Sequence, residues 1–447
     1  MREPMKVVWL APNIWPRELG GVELVVDILS RQMAQAGCEV EVWVSGLAAG
    51  YRQRTSDGRL LLGLGQPRVP AAFWPLTPLW RLAHGARQLW GRGQVDAIFS
   101  PAALLTCACL LAGPRAPVIY CPGGTVAGSY RYDLPPEPVR GLRGLLRSAS
   151  TMAWQLRMAE HWALARSAGV IAVSARVKAQ MLALRQGLER RIRIIYNGGD
   201  HQRLDPAPYE REAKRPGTLT AVTVARLHPI KNIEHLIRAW SLVRWPHRRL
   251  WIVGDGIQME PLRALSACLG LMDSVHFLGA RQDVRGLLDA ADVFVLPSLY
   301  EACPLALLEA MAAGLPGITL ASVPGISDVA ASGELNIDGV TGFVVDPRDP
   351  ADMARRLDQL AADGDLRRRL GQAAAQRVAR QFTWAQTAHD YLAFARQLSS
   401  PPERADAVLG VWHSRPRLCS LREELHPDTA QPRAAVPHRS PRSLAHA

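Results

Sequence analysis

Four side chains in this sequence have the type and spacing to do chemistry together: Glu301, Glu309, Arg226 and Lys231. The two carboxylates lie eight residues apart in the segment 296–316, which reads LPSLYEACPLALLEAMAAGLP. An apolar strand runs into a loop there, Pro304 stands where a first-turn proline belongs, and an apolar helix follows to Gly314. The unsatisfied N–H groups at such a helix start, near Cys303 to Ala306, suit a diphosphate, which makes Cys303, Pro304 and Leu305 donor-binding candidates. Glu301 falls in the loop and Glu309 well inside the helix, so the pair can accept hydrogen bonds from hydroxyls at two ends of one ligand. A helix-start charge and a paired helix residue is the plainer reading. A lone carboxylate among Leu305, Leu307, Leu308, Ala310 and Met311 nevertheless needs a partner.

The cations come from Val224-Ala-Arg-Leu-His-Pro-Ile-Lys231, where a strand ends before a helix. Arg226 offers a planar fork and Lys231 a point charge, a combination that fits a diphosphate. Solvated charges at a strand end are the default in so Arg-rich a chain. Lys231 weighs more, because the other lysines are only Lys6, Lys178 and Lys214. Gly20 and Gly21 precede the first amphipathic helix and would let backbone approach an anion, although turn chemistry explains them equally well.

The elements that must hold these residues alternate strand and helix twice over. Strand-like runs at 6–12, 39–45, 97–100 and 117–120 form one series, with a helix at 22–36. A second series has strands at 219–225, 250–253, 275–278, 293–297 and 317–321, with helices at 234–243, 259–269, 284–290 and 305–313 between them. This predicts an α/β chain of two doubly wound, Rossmann-like halves, with ligand at the carboxyl ends of the strands. The expected division is 1–200 for the first half, a linker at 201–216, 217–383 for the second, a returning helix at 384–398, and a disordered tail at 399–447.

Other motifs weigh less. Gly254-Asp255-Gly256 lacks the third spaced glycine of a dinucleotide fingerprint and reads as a strand-to-helix turn. Asp363-Gly364-Asp365 is better explained by turn chemistry than by a metal. Seven scattered cysteines give neither a disulfide framework nor zinc spacing, and Gly-x-Ser-x-Gly is absent. The formal charge of +13 invites an anionic partner, but nearly all of it is Arg spread along the chain. No nucleic-acid partner is expected. The longest apolar run, 102–112, is about half of the roughly 20 residues that span a bilayer. Without signal-peptide architecture, the expected location is cytoplasmic.

With these pieces in place, the sequence resembles glycosyltransferase family 4, the retaining family with the GT-B fold, over residues 6–398. Glu301 and Glu309 match its Glu-x(7)-Glu signature, Arg226 and Lys231 its Arg-Leu-x-x-x-Lys element, and Gly342-Phe-Val-Val-Asp-Pro347 a strand downstream. Phe382-Thr-Trp384 looks like the segment that crosses back to the first half. The resemblance implies a nucleoside-diphosphate sugar as donor, with Glu301 on the hexose, Glu309 on the ribose, Arg226 and Lys231 on the diphosphate, and Gly21 approaching from the other half. It implies no cofactor and no divalent metal. Relatives often carry a His near Cys121-Pro-Gly-Gly124; this chain has none there, which leaves the acceptor-side residues open.

Two segments suit a lipid-linked or polysaccharide-precursor acceptor at an anionic membrane surface. Residues 73–90 carry Trp74, Trp80 and Trp90 with Arg81 and Arg87, and residues 140–166 carry Arg143, Arg147 and Arg157 among apolar side chains. Two core helices with a solvated Arg face explain them as well. A sugar-nucleotide epimerase, a glycan phosphorylase or a non-catalytic sugar-nucleotide-binding module are the competing readings.

Overall fold

The structure is a computed structural model describing residues 4–13, 20–65, 83–84, 86–87, 94–126, 149–200, 217–281, 283–329 and 331–399. The expected linker at 201–216 and the tail beyond Ser399 lie outside these residues, as do Trp74, Trp80, Trp90, Arg81, Arg143 and Arg147.

The first half contains β1 (Lys6–Ala11), α1 (Gly21–Gln35), β2 (Glu39–Val44), β3 (Arg52–Arg54), β4 (Leu60–Gly63), β5 (Ala97–Ser100), α2 (Ala103–Leu111), β6 (Val118–Tyr120), α3 (Ala149–Arg166), β7 (Gly169–Ala172), α4 (Ala175–Leu184) and β8 (Ile192–Ile194). Its sheet runs β3-β4-β2-β1-β5-β6-β7-β8, parallel throughout except that β3 pairs antiparallel with β4. Central strands such as β1 and β5 are apolar on both faces, because helices cover both sides of a parallel sheet. The sequence series stops at β6. Strands β7 and β8 complete the sheet, and β3 with β4 forms its edge.

The second half begins with β9 (Leu219–Val224), α5 (Ile233–Leu242), β10 (Arg248–Val253), α6 (Met259–Cys268), β11 (Val275–Gly279), α7 (Val284–Ala290) and β12 (Val293–Leu296). It continues through β13 (Tyr300–Glu301), α8 (Leu305–Ala312), β14 (Gly317–Leu320), β15 (Asp328–Val329), α9 (Ala331–Glu334) and β16 (Gly342–Val345). The parallel order β11-β10-β9-β12-β14-β16 reverses between β9 and β12, and that switch point opens the crevice in which such sheets take ligands. The first sheet reverses between β1 and β5 in the same way.

Helices α10 (Pro350–Ala362), α11 (Gly364–Gln381) and α12 (Trp384–Ser399) close the described chain. Asp363 caps α11, its Oδ1 accepting from the Leu366 N–H at 2.8 Å, which confirms turn chemistry for Asp363-Gly364-Asp365. The chain then returns to the first half. Asp200 Oδ1 accepts from the Trp384 N–H at 2.7 Å, and Tyr391 of α12 stacks on Trp9 of β1 with centroids 5.8 Å apart. Gly169 gives α12 room, since a Cβ there would collide with Phe394 and Leu398.

Candidate functional site

The loop after β9 carries Arg226, exposed at the crevice, and reaches Lys231 through a short 3-10 turn over Pro229–Lys231. It is pressed onto the end of β10. Ala225 N–H donates to Val253 O at 3.0 Å and Leu227 N–H to Asp255 O at 2.8 Å. Gly254, at φ 137°, permits this approach, because a Cβ there would overlap the Ala225 carbonyl oxygen. The Gly254-Asp255-Gly256 turn is therefore what seats the Arg226 loop. Asn232 ends the turn in the left-handed region at φ 50° and starts α5.

The loop after β12 comes to meet it, with Leu299 N–H donating to Ile230 O at 2.8 Å. Lys231 Nζ lies 2.7 Å from Glu301 Oε1. The two residues, far apart in sequence, thus form one ion pair at the switch point. Two expectations change here. Glu301 lies not in irregular loop but in the two-residue strand β13, paired with β15 as Tyr300↔Asp328 and Glu301↔Val329. Pro304 is the residue before the helix, at φ −70° and ψ 116°, rather than its first turn. An extended proline sets the entry angle, and the first helical residue is Leu305.

Cys303 is buried, and burial pushes its thiol up to about 12. Its sulfur stays protonated at neutral pH, so its contribution is backbone: Asn197 Nδ2 donates to its carbonyl at 3.3 Å. Glu309 is buried in the second turn of α8, next to Leu308, against which Gly199 packs too closely for any side chain. Gly21 begins α1, and a Cβ on it would stand 3.9 Å from Leu305 Cδ1. The start of α1 in one half therefore meets the start of α8 in the other, at Gly21 and Leu305.

Several residues that the sequence reading passed over join the halves around this point. Thr125 N–H donates to Tyr300 Oη at 3.2 Å, and Gly124 lies so close to Tyr300 and Ala302 that a Cβ would crowd both. Thr125 Oγ1 donates to Gln180 Oε1 at 2.9 Å, and Gln180 Nε2 donates to Asp328 Oδ2 at 2.8 Å. Arg176 also pairs with Asp328. Glu334 accepts from the Ala175 and Arg176 N–H groups at 2.7 and 2.9 Å, capping α4 from the opposite half, and from Tyr196 Oη at 2.9 Å. In the loop where no His occurs, Val126 N–H donates to both oxygens of Glu160, at 3.0 and 3.1 Å. Burial pushes the Glu160 carboxyl up to about 7, against the opposing pull of the Val126 N–H and Arg157. The signal for Glu160 was present in the sequence, as the one acidic residue in 149–166.

The chain matches the family model described as glycosyl transferases group 1 over residues 209–377 and the model described as glycosyltransferase family 4 over residues 19–203. It is 30% identical over 268 residues to glycogen synthase of Mycobacterium tuberculosis, covering 58% of this chain and 62% of that protein. It is 28% identical over 429 residues to D-inositol 3-phosphate glycosyltransferase of Streptomyces scabiei, covering 86% and 89% of the two chains. The chain spans 17–62% of the length of the first curated relatives it matches. Among solved structures, HepE of Anabaena in complex with UDP and glucose superposes with a TM-score of 0.65 at 19% identity, covering 87% of this chain and 98% of that one.

Proposed function

We propose, from the premise that this chain belongs to the family-4-type glycosyltransferases of GT-B fold, that it moves a sugar from a nucleoside-diphosphate sugar to a lipid-linked or polysaccharide-precursor acceptor with retention of configuration. The observation that carries the reading is the Lys231–Glu301 pair at the switch point, in a site where the starts of α1 and α8 meet at Gly21 and Leu305. In the resting site Glu301 neutralises Lys231. A donor diphosphate takes over Lys231 and the Arg226 fork, and the released Glu301 carboxylate accepts from hexose hydroxyls. Glu309 takes the ribose hydroxyls, while N–H groups of the Cys303–Pro304–Leu305 turn and of Gly21 face the diphosphate. The sugar–phosphate bond breaks as the acceptor oxygen bonds to the same face of the anomeric carbon, and the acceptor proton passes to the departing phosphate. The protein's work is then positioning and stabilising the leaving charge, which two fixed cations can do without a metal.

UDP-sugars are the first donors to try, since HepE was solved with UDP and glucose. Thermal-shift measurement against UDP-, GDP- and ADP-sugars tests the donor half, because a ligand at 100 times its Kd stabilises by about 2.7 kcal/mol. No shift with any of them at millimolar concentration would sink the reading. Incubation with the stabilising donor alone separates an epimerase, which changes the sugar with no acceptor present.

Work at the inner face of a membrane suits a lipid-linked acceptor. No helix among the described residues is long and apolar enough to cross a bilayer.

A further inference from the structure

The first half carries an apolar groove of about 380 Å³ between α2 and α3, lined by Leu104, Cys107 and Leu111 on one side and Trp154, Met158 and Trp162 on the other. Leu111, Trp154 and Met158 are 49, 63 and 51% exposed. Elsewhere among the described residues the exposed large hydrophobics are Ile194, Leu242, Ile257, Leu269 and Met272, none of which lines the groove. Single exposed apolar residues need no account, but three along one groove do. The spacing is deliberate helical geometry: 154, 158 and 162 make an i, i+4, i+8 stripe on α3, and 104, 107 and 111 an i, i+3, i+7 stripe on α2.

The fringe of the groove is cationic. Arg157 is exposed between Trp154 and Met158, and Arg115 is exposed just beyond the end of α2. Arg87 donates to the Leu111 carbonyl at 3.0 Å, and Arg185 lies 3.2 Å from His161 of α3. Helix α2 has no acidic residue; the single one on α3, Glu160, is 1% exposed and turned to Val126. An apolar stripe with a basic border and no exposed carboxylate on its own helices matches apolar chains beneath anionic headgroups. A second copy bound face to face would set one arginine fringe against the other.

We propose that the α2–α3 groove is the surface by which this protein docks on an anionic phospholipid bilayer, Trp154, Met158 and Leu111 entering the interface and Arg157, Arg115 and Arg87 meeting headgroup phosphates. The consequence for catalysis rests on the lipid-linked acceptor reading. Ala159 lines the groove, and its neighbour Glu160 holds the Cys121–Val126 loop that abuts Tyr300, so the docked face leads directly to the crevice.

The test is co-sedimentation of the full chain with sucrose-loaded vesicles of phosphatidylcholine, alone or with one quarter phosphatidylglycerol, in 100 mM salt without nucleotide. The wild type is expected to pellet with the anionic vesicles and stay in solution with the neutral ones. The Trp154→Ser/Met158→Gln variant is expected to partition at least tenfold more weakly with unchanged melting temperature, and Arg157→Glu to lose binding in the same direction. The proposal falls if the wild type does not pellet, or if the double variant pellets as well as the wild type. It falls equally if light scattering shows a wild-type dimer that the double variant dissolves while neither binds lipid. Since no sugar nucleotide enters the assay, failure here is separate from failure of the donor reading.

Discussion

Replacing Lys231 with Met keeps the apolar stem and deletes the charge that faces Glu301 at 2.7 Å. The side chains are 24 and 10% exposed, so water can only partly replace the lost cation. Removing one partner of a fully buried pair costs about 3–5 kcal/mol, and an exposed pair contributes about 0.2–1 kcal/mol. A pair this far from solvent falls between them, at about 1–3 kcal/mol for Lys231→Met. Urea unfolding of Lys231→Met, Glu301→Gln and the double variant separates the coupling from the individual losses, and the expected coupling is at least about 1 kcal/mol. The functional arm uses UDP itself. Lys231→Met loses a charge-assisted contact worth about 1.5–3 kcal/mol, hence roughly 10- to 100-fold weaker binding by titration calorimetry. Glu301→Gln, which leaves Lys231 without its internal competitor, binds UDP at least as tightly as the wild type. Additive stability losses, or a Lys231→Met variant that binds UDP like the wild type, would refute the exchange of partners.

Three further outcomes follow from the same geometry. Glu160 ordinarily titrates near 4.5 and here near 7, so the folded chain holds more protons than the unfolded one between those values. Its contribution to stability is fullest below 4.5 and is lost as pH rises through 7, an effect of up to about 3 kcal/mol. Glu160→Gln should flatten the fall in melting temperature from pH 5 to 8, and an unchanged slope would show that another group sets it. Arg176→Gln should keep the melting temperature within about 2 °C, because Arg176 is half exposed. Turnover with the preferred donor should nevertheless drop several-fold as the β13–β15 ribbon loses its brace; wild-type turnover would rule out that coupling. Gly254→Ala must displace the Ala225 backbone, and should cost about 2 kcal/mol or more in urea while abolishing donor stabilisation. Intact donor binding in that variant would mean the Arg226 loop is not seated as described.

The core of the site was legible because its signals are local. An apolar strand, a proline and an apolar helix bracket Glu301 and Glu309 within about twenty residues of chain, and the scarcity of lysine marks Lys231. What was hidden depends on contacts across great distances in sequence. Gly254 reads as a turn glycine until the Ala225 carbonyl is seen against it, and Pro304 is moved out of the helix by the extended entry it must make. Asp328 and Glu334 look like ordinary surface acids. Their partners, Arg176, Gln180 and the start of α4, belong to the other half, and no pattern within either segment announces them. Strands β7 and β8 went unread although, at four and three residues, they match β5 and β6 in length, so length does not account for the difference.

The return of α12 to the first half bears on how the chain is made. Trp384, Tyr391 and Phe394 share a core with Trp9 and Phe99, and Trp384 is held by Asp200. The first sheet to leave the ribosome therefore lacks one wall until α12 is synthesised. At about 5–20 residues per second, the sequence separation of 184 from Asp200 to Trp384 imposes a wait of roughly 10–40 seconds. During that interval the face of β1 and β5 that receives Tyr391 is open to chaperones or to aggregation, and a message truncated before Trp384 would release a nascent chain that never closes it.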